Sequence, residues 1–391
     1  MGVESRALTA RKRFGAASAA LAVLVTLGGV LANPDAAEPR PGLDRLTTED
    51  GKIVDPEGRP VLLRGVNLLA LREDGKSVPS SEYRRIRRAG FTVVRLVAYW
   101  DALEPRPPDA SGRHVYAPAA VAKLDEAVAR ARAAGLWAVI DPVHLFDLSP
   151  AFGGRGIPSW VYRSRRFNEA RARATIADDD FMHGHLEAFL RFIAARYGRD
   201  PTVAAIDPIN EPPTADVAKT MDWYAEMVGQ IRAGAPETIV LVEPRYGDSS
   251  ITAEDLRRIE DRRNLVLSPH FYYGGGAGSG YGARGEQAPS GRYLWDGKTG
   301  YPGGAAGEMR AHLDVSLEAA RGAGMPVWIG EFGIGRDVRG AKAWVRDATN
   351  LFEATGVGWS YWVHDSTDDF SLTTSRGTYG PLARRLSDVA R

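Results

Sequence analysis

Two glutamates stand where apolar runs of the chain end, Glu211 in the segment IDPINEPP and Glu331 in VWIGEFG. Each closes a short run of strand character, the point at which a buried parallel strand leaves the core. Cleavage of a glycosidic bond requires a carboxylic acid to protonate the departing oxygen and a carboxylate across the anomeric carbon. Taken singly, either glutamate reads equally well as a solvated strand end, the commonest fate of that residue. The pair together with its neighbours favours chemistry.

Arg95 lies inside FTVVRLV, where an unpaired guanidinium would be costly to bury. It should find a carboxylate, and Glu331 is the expected partner; the bland alternative is a structural ion pair. His270 and Tyr272, two apart in HFYY, share one side of a strand. The tyrosine could bond one glutamate while the histidine orients the other, although an isolated histidine there reads as core. Trp362 in SYWVHD could present an indole face to a sugar ring or simply pack.

Eight segments of strand length must position these groups. They begin near Val61, Phe91, Leu136, Val203, Thr238, Asn264, Pro326 and Gly358, and amphipathic runs of helical spacing separate them, several ending in glycine. Strict alternation of this kind predicts a closed (β/α)₈ barrel, with reacting groups at the C-terminal ends of the strands. An open doubly wound sheet is the rival, but RGVNLLALRE after the first strand holds no glycine-rich phosphate fingerprint. Ahead of the barrel, LTTEDGKIVDPEGRPVLL predicts a hairpin closing its bottom.

The 50 basic and 49 acidic residues leave a formal charge of +1, which provides no global field for nucleic acid. No cysteine is present, so disulfides and thiolate chemistry are excluded. The seven histidines form no metal-ligand motif except His183 and His185, whose spacing suits opposite helix faces. Residues 1–32 combine a basic flank with an uncharged apolar stretch and read as a secretory signal, or alternatively as a membrane anchor, followed by a linker over 33–43 and the catalytic domain over 44–391. The glycine- and tyrosine-rich connection from Phe271 to Ala306 is of a length that is usually functional, and is expected to contact substrate beyond the cleaved bond.

From Asp44 onward the chain resembles glycoside hydrolase family 5. The residues that carry the resemblance are the RGVNL of the first barrel strand, Arg95, His144, Asn210 with Glu211, His270, Tyr272, Glu331 and Trp362, in that order along the chain. The resemblance implies a retaining double displacement without metal or cofactor, Glu331 as nucleophile and Glu211 as acid/base. Asn210 would then bond the sugar 2-hydroxyl, and Arg95 and Tyr272 would aim Glu331. One departure is Pro142, which widens the usual spacing between Asp141 and His144 and puts the depth of His144 in question.

Within the family, GRGIPSWVY, PHFYYGG and GVGWSYWVHD are similar to the endoglycoceramidase-type branch, implying a β-linked glycolipid substrate and transient contact with a membrane surface. Leu145, Phe146, Leu148, Phe152, Ile157, Pro158 and Trp160 could receive the lipid, or form a loop packed on itself. The alternatives are a cellulase- or mannanase-type hydrolase of polysaccharide or oligosaccharide, and a non-catalytic carbohydrate-binding barrel. Damage at a glutamate or at Arg95 would mark the last, and neither is seen.

Overall fold

A computed structural model describes residues 42–391, apart from 73–74, 164, 215, 245–250, 273–300, 302, 304–305 and 368. The expected signal segment, most of the linker and most of the glycine-rich connection lie outside the described residues.

Strands β1 (Thr47–Glu49) and β2 (Lys52–Val54) pair antiparallel around Asp50 and Gly51, with φ of 49° and 69°. Two successive left-handed residues are what a tight hairpin turn demands, and Asp-Gly supplies them. The hairpin contributes Leu46 and Ile53 to an apolar cluster with Val93, Val139, Leu241, Val266 and Trp328, so it does plug the lower end of the domain.

The remaining strands are β3 (Arg64–Leu69), β4 (Val93–Val97), β5 (Trp137–Asp141), β6 (Val203–Ile206), β7 (Ile239–Val242), β8 (Leu265–Leu267), β9 (His270–Phe271), β10 (Trp328–Phe332) and β11 (Gly358–Tyr361). All pair in parallel, in the order β8-β7-β6-β5-β4-β3-β11-β10-β9. β8 and β9 are two halves of one strand, interrupted at Ser268-Pro269, where proline has no N–H to give the ladder. Leu267 N also donates to Pro326 O at 2.9 Å, so this order joins its own ends and the sheet closes into the eight-stranded barrel.

Each of the eight expected strands is present. Helices Pro118–Ala134 and Ala341–Thr355 end on Gly135 and Gly356 in the left-handed conformation, φ 71° and 68°. Helix Val217–Gly234 begins before the expected MDWYAE because the Asp216 side chain caps it, accepting from Lys219 N. Between β5 and β6 the chain makes two short helices before the expected one, Ser159–Arg163 and Glu169–Thr175, too short for periodicity to reveal.

Candidate active site

Along β3 to β7 the inward residues change character over one two-residue step. Val93 gives way to Arg95, Val139 to Asp141, Ala205 to Asp207, Leu241 to Glu243, and Gly65 to Asn67. Parallel pairing sets Arg95 level with Asn67 and Val139. Three acids thereby converge on one buried guanidinium, and Glu331 of β10 is the fourth.

Arg95 spends every face of its fork. Nε and Nη2 donate to Asp207 Oδ2 at 3.0 and 2.8 Å, and Nη1 donates to Asn67 Oδ1 at 3.0 Å and Glu331 Oε1 at 2.7 Å. Nη2 also reaches Asn210 Oδ1 at 2.9 Å and Glu243 Oε1 at 3.1 Å, and lies 3.2 Å from Asp141. Burial works against its charge, but Asp141, Asp207, Glu331 and Glu243 outweigh burial and hold the guanidinium ionised. The second Glu331 oxygen accepts from the Tyr272 hydroxyl at 2.7 Å. Glu331 is thus held at both oxygens.

Glu211 has a different environment. Its backbone is left-handed, φ 45°, a strained conformation for a residue with a side chain. Its N–H donates to Glu243 Oε2 at 2.6 Å, and its Oε1 meets His270 Nδ1 at 2.8 Å. Burial, chiefly, and the charges of Glu331 and Glu243 push the Glu211 carboxyl upward, and the His270 contact opposes them only in part. One oxygen of Glu211 and one of Glu331 lie within 4.8 Å of each other.

His270 sits among three carboxylates, with Nε2 3.1 Å from Glu243 and Nδ1 3.6 Å from Glu331. Burial disfavours its charge, yet Glu243, Glu331 and Glu211 hold the imidazole protonated, well above its ordinary range. Glu243 is kept at about 2 against its own burial by His270 and Arg95, while burial and Glu243 push Asp207 well up. Glu211, His270 and Glu331 also offer three atoms to which a cation could bind. An imidazole held protonated is a poor ligand, and both Glu331 oxygens are already bonded, so the donor set suits acid–base work better than a metal.

The remaining expected residues also come to this mouth. His144 reaches it despite Pro142: Nδ1 lies 2.7 Å from Asp141, and the ring stacks on Trp362 at 5.0 Å and 3°. Trp362 therefore has one face covered by histidine. Asp207 and Glu243 escaped the sequence reading, and Asn67 and Asp141 entered it only within RGVNL and as the acid spaced from His144, although each is a polar residue at the upper end of an apolar strand, the criterion that found the glutamates. Gly330 escaped too: a side chain there would meet Ser268 Oγ at 2.5 Å and His270 Nε2 at 3.1 Å, so glycine makes room for the histidine.

Above the carboxylates opens a pocket of about 460 Å³. His144, Asn210, Glu211, Tyr272, Glu331 and Trp362 form its floor, Leu69, Leu71, Phe146 and Phe370 supply apolar wall, and Arg72, Arg155 and Asp365 add charge. Most of the apolar residues expected from the β5 excursion are placed otherwise. Leu145, Leu148 and Ile157 are buried, Phe152 rests against Tyr162 at 5.3 Å, and Trp160 donates to Glu104 O at 3.0 Å while packing edge-on to Trp100. They are packing residues. Of that set only Phe146 lines the pocket.

A closed β/α barrel with paired carboxylates at the strand ends defines a class of sugar-cleaving enzymes. The sequence pattern of the cellulase family, glycosyl hydrolase family 5, matches residues 54–368, and the chain belongs to that family of glycoside hydrolases. Among solved structures, that of an endogalactoceramidase superposes with a TM-score of 0.70 at 24% identity, covering 89% of this chain and 85% of that one. Endo-glycoceramidase II from Rhodococcus sp. in its ganglioside GM3 complex gives a TM-score of 0.68 at 19% identity, covering 87% and 81%. At such identities the likeness speaks for the fold. Endoglucanase N of Pectobacterium atrosepticum is 24% identical over 238 residues, 59% of this chain and 44% of that protein. Endoglycoceramidase I of Rhodococcus hoagii is 32% identical over 133 residues, 32% of this chain and 25% of that protein. The chain thus spans less than half the length of these two curated relatives.

Proposed function

We propose that the protein is a retaining β-glycosidase acting on glycolipid, with Glu331 as nucleophile and Glu211 as acid/base. The observation that carries the mechanism is the approach of the two carboxylates to within 4.8 Å. Retaining enzymes hold their carboxyl groups about 5–5.5 Å apart for direct attack, whereas inverting enzymes need roughly 6.5–9.5 Å to admit a water. The environments divide the roles. Arg95 and Tyr272 bond both oxygens of Glu331, which suits an anionic nucleophile, and the upward push on Glu211 suits a group that must begin protonated.

In the first step Glu331 attacks the anomeric carbon, and Glu211 gives its proton to the departing oxygen. Glu211, now ionised, takes a proton from water as that water releases the glycosyl group from Glu331. His270 beside Glu211 stabilises the carboxylate midway through the cycle. Asn210, held by Arg95 at its Oδ1, has its amide N–H groups left for the sugar 2-hydroxyl.

The apolar wall of Leu69, Leu71, Phe146 and Phe370 supports a lipid aglycone, and the likeness to two ceramidase structures agrees with it. The endoglucanase relative supports plain β-glucan as the second reading. A hydrolysis screen of aryl β-glycosides, carboxymethyl cellulose, mannan and glycosphingolipids in detergent separates the two, and proton NMR of the first product should give the β anomer. Initial appearance of the α anomer would overturn the retaining mechanism. Cleavage of polysaccharide without glycolipid would replace the substrate.

A further inference from the structure

Only three large hydrophobic residues are strongly exposed among the described residues, Val115 at 46%, Phe146 at 49% and Phe181 at 45%. Phe181 and Val115 are linked through a few contacts. Phe181 stacks edge-on to His185 at 4.6 Å, His185 Nδ1 lies 3.3 Å from His114, and His114 neighbours Val115. Phe146 precedes Asp147, whose carboxylate lies 4.0 Å from Arg173. Phe146 belongs to the excursion that leaves the C-terminal end of β5, the end of the barrel on which the pocket opens, and Phe181 to the first turn of the helix Asp180–Tyr197 that follows it.

The same excursion carries five arginines between 163 and 173 against the single acid Glu169. Arg173 is occupied by Glu169 at 2.7 Å and Arg165 by Asp179 at 2.6 Å. Arg163, Arg166 and Arg171 are exposed, and none of them pairs with a carboxylate among the described residues. Asp178 is taken by Lys219 at 2.6 Å, leaving Asp147 and Asp180 as the acids set against them. The guanidinium of Arg171 lies 4.6 Å from the ring centre of Phe167, and that of Arg165 lies 4.5 Å from Phe167 and 4.7 Å from Phe181. Arg171 and the paired Arg165 over these rings, with the unpaired, exposed Arg163 and Arg166 in the same segment, give it an apolar body and a positive rim.

We infer that this face docks the enzyme on an anionic bilayer surface, bringing the pocket mouth down onto membrane-embedded substrate. The charge is complementary to acidic headgroups, and exposed phenylalanines beside arginines suit the boundary between headgroup and acyl chain. A neutral glucan would offer such arginines nothing to pair with. The inference rests on the glycolipid reading for its purpose, but it has its own measurement.

The test is flotation of the full chain with vesicles of phosphatidylcholine alone, or of phosphatidylcholine with phosphatidylserine, both without glycolipid. Binding should favour the anionic vesicles and fall with added salt. The triple variant Arg163→Ser, Arg166→Ser, Arg171→Ser should lose anionic-vesicle partition on the order of a hundredfold, the equivalent of ~1 kcal/mol for each arginine. Phe181→Ser should weaken it further. An unchanged rate of the triple variant on a soluble aryl glycoside certifies its fold, and both proteins share residues 1–41. Equal binding to neutral vesicles, undiminished binding of the triple variant, or binding only when glycolipid is added would each overturn the inference. Vesicle binding without glycolipid hydrolysis would uphold docking and overturn the proposed substrate instead.

Discussion

The lower and upper halves of the barrel interior differ by one step along the same strands. Val93, Val139, Leu241 and Val266 fill the lower layer beside Trp328, whose indole N–H donates to Leu63 O at 3.0 Å. Two residues higher, on β4, on β5 and just past β7, stand Arg95, Asp141 and Glu243, fully or almost fully buried. The lower layer gains its stability from apolar area withdrawn from water. The upper layer gains its order from mutual pairing, and each member is expensive to bury once its partner is lost. The lower half is therefore a foundation that tolerates repacking, and the upper half is an arrangement in which one deletion strands several charges.

The comparison breaks most sharply at the two glutamates. Glu331→Gln and Glu211→Gln should each lower kcat by several orders of magnitude while leaving thermal stability nearly intact, because each removes a reacting group and no core volume. An activated aryl glycoside should separate them: the Glu211 change spares the first step and slows the second. Equal loss of both steps in both variants, followed by stopped-flow release of the aryl group, would contradict the division of roles.

Next in size is Arg95→Met, which fills the space but leaves Asp141, Glu243 and Glu331 without their cation. Breaking such a buried arrangement should cost about 3–5 kcal/mol in denaturant melts as well as nearly all activity. Glu243, held at about 2 in part by Arg95, contributes stability that is present above the ordinary carboxylate range and is lost as pH falls toward that value. The variant should show less of this acid-side loss than the parent. Leu241→Ala is the control from the lower layer. It should cost about 2–4 kcal/mol of stability through its cavity, yet leave kcat of the folded enzyme unchanged.

Much of this contrast was legible in the sequence. Strand-length apolar runs and their alternation with helical runs predicted the barrel, and a glutamate at the end of such a run marked Glu211 and Glu331. Arg95 was expected to find one carboxylate; it finds several, because Asp207 in VAAID and Glu243 in LVE are also strand-end acids whose convergence depends on register. Gly330 was invisible for a related reason: its importance lies in the His270 ring on the neighbouring strand, and spacing along one chain does not report what stands across a sheet. Phe152 and Trp160 misled in the opposite direction. An apolar residue in a loop reads alike whether it faces a pocket or a core, and Trp160 was drawn inward by the buried elements around Glu104.

A smaller effect concerns the proton on Glu211. Burial and the neighbouring anions raise its carboxyl, while the charged His270 lowers it. Since Glu211 must start protonated, kcat/KM should fall on the alkaline side as that proton is lost. His270→Asn removes the positive charge that favours ionisation, so the alkaline limb should move to higher pH even as the maximum rate drops. A limb that moves downward would mean that His270 does not carry its charge beside Glu211.

The smallest expected effect lies at the pocket wall. Phe146 is half exposed and lines the pocket, so it gains burial when a substrate covers it. If that substrate carries a hydrocarbon aglycone, Phe146→Ser forfeits part of a contact worth about 25 cal/mol per Å² of apolar area covered. A half-exposed ring offers less area than a buried one, so the loss should be about 1 kcal/mol, or roughly fivefold in kcat/KM for a glycosphingolipid. A soluble oligosaccharide should lose less, because it brings polar groups to the same wall. Phe152→Ser makes the contrast informative: that ring packs against Tyr162 away from the pocket, so it should lower stability and leave the ratio of the two substrates alone. Parallel kinetics on both substrates, for both variants, decide whether the apolar wall receives lipid. An unchanged ratio in Phe146→Ser would remove the wall as a lipid subsite and favour the glucan reading.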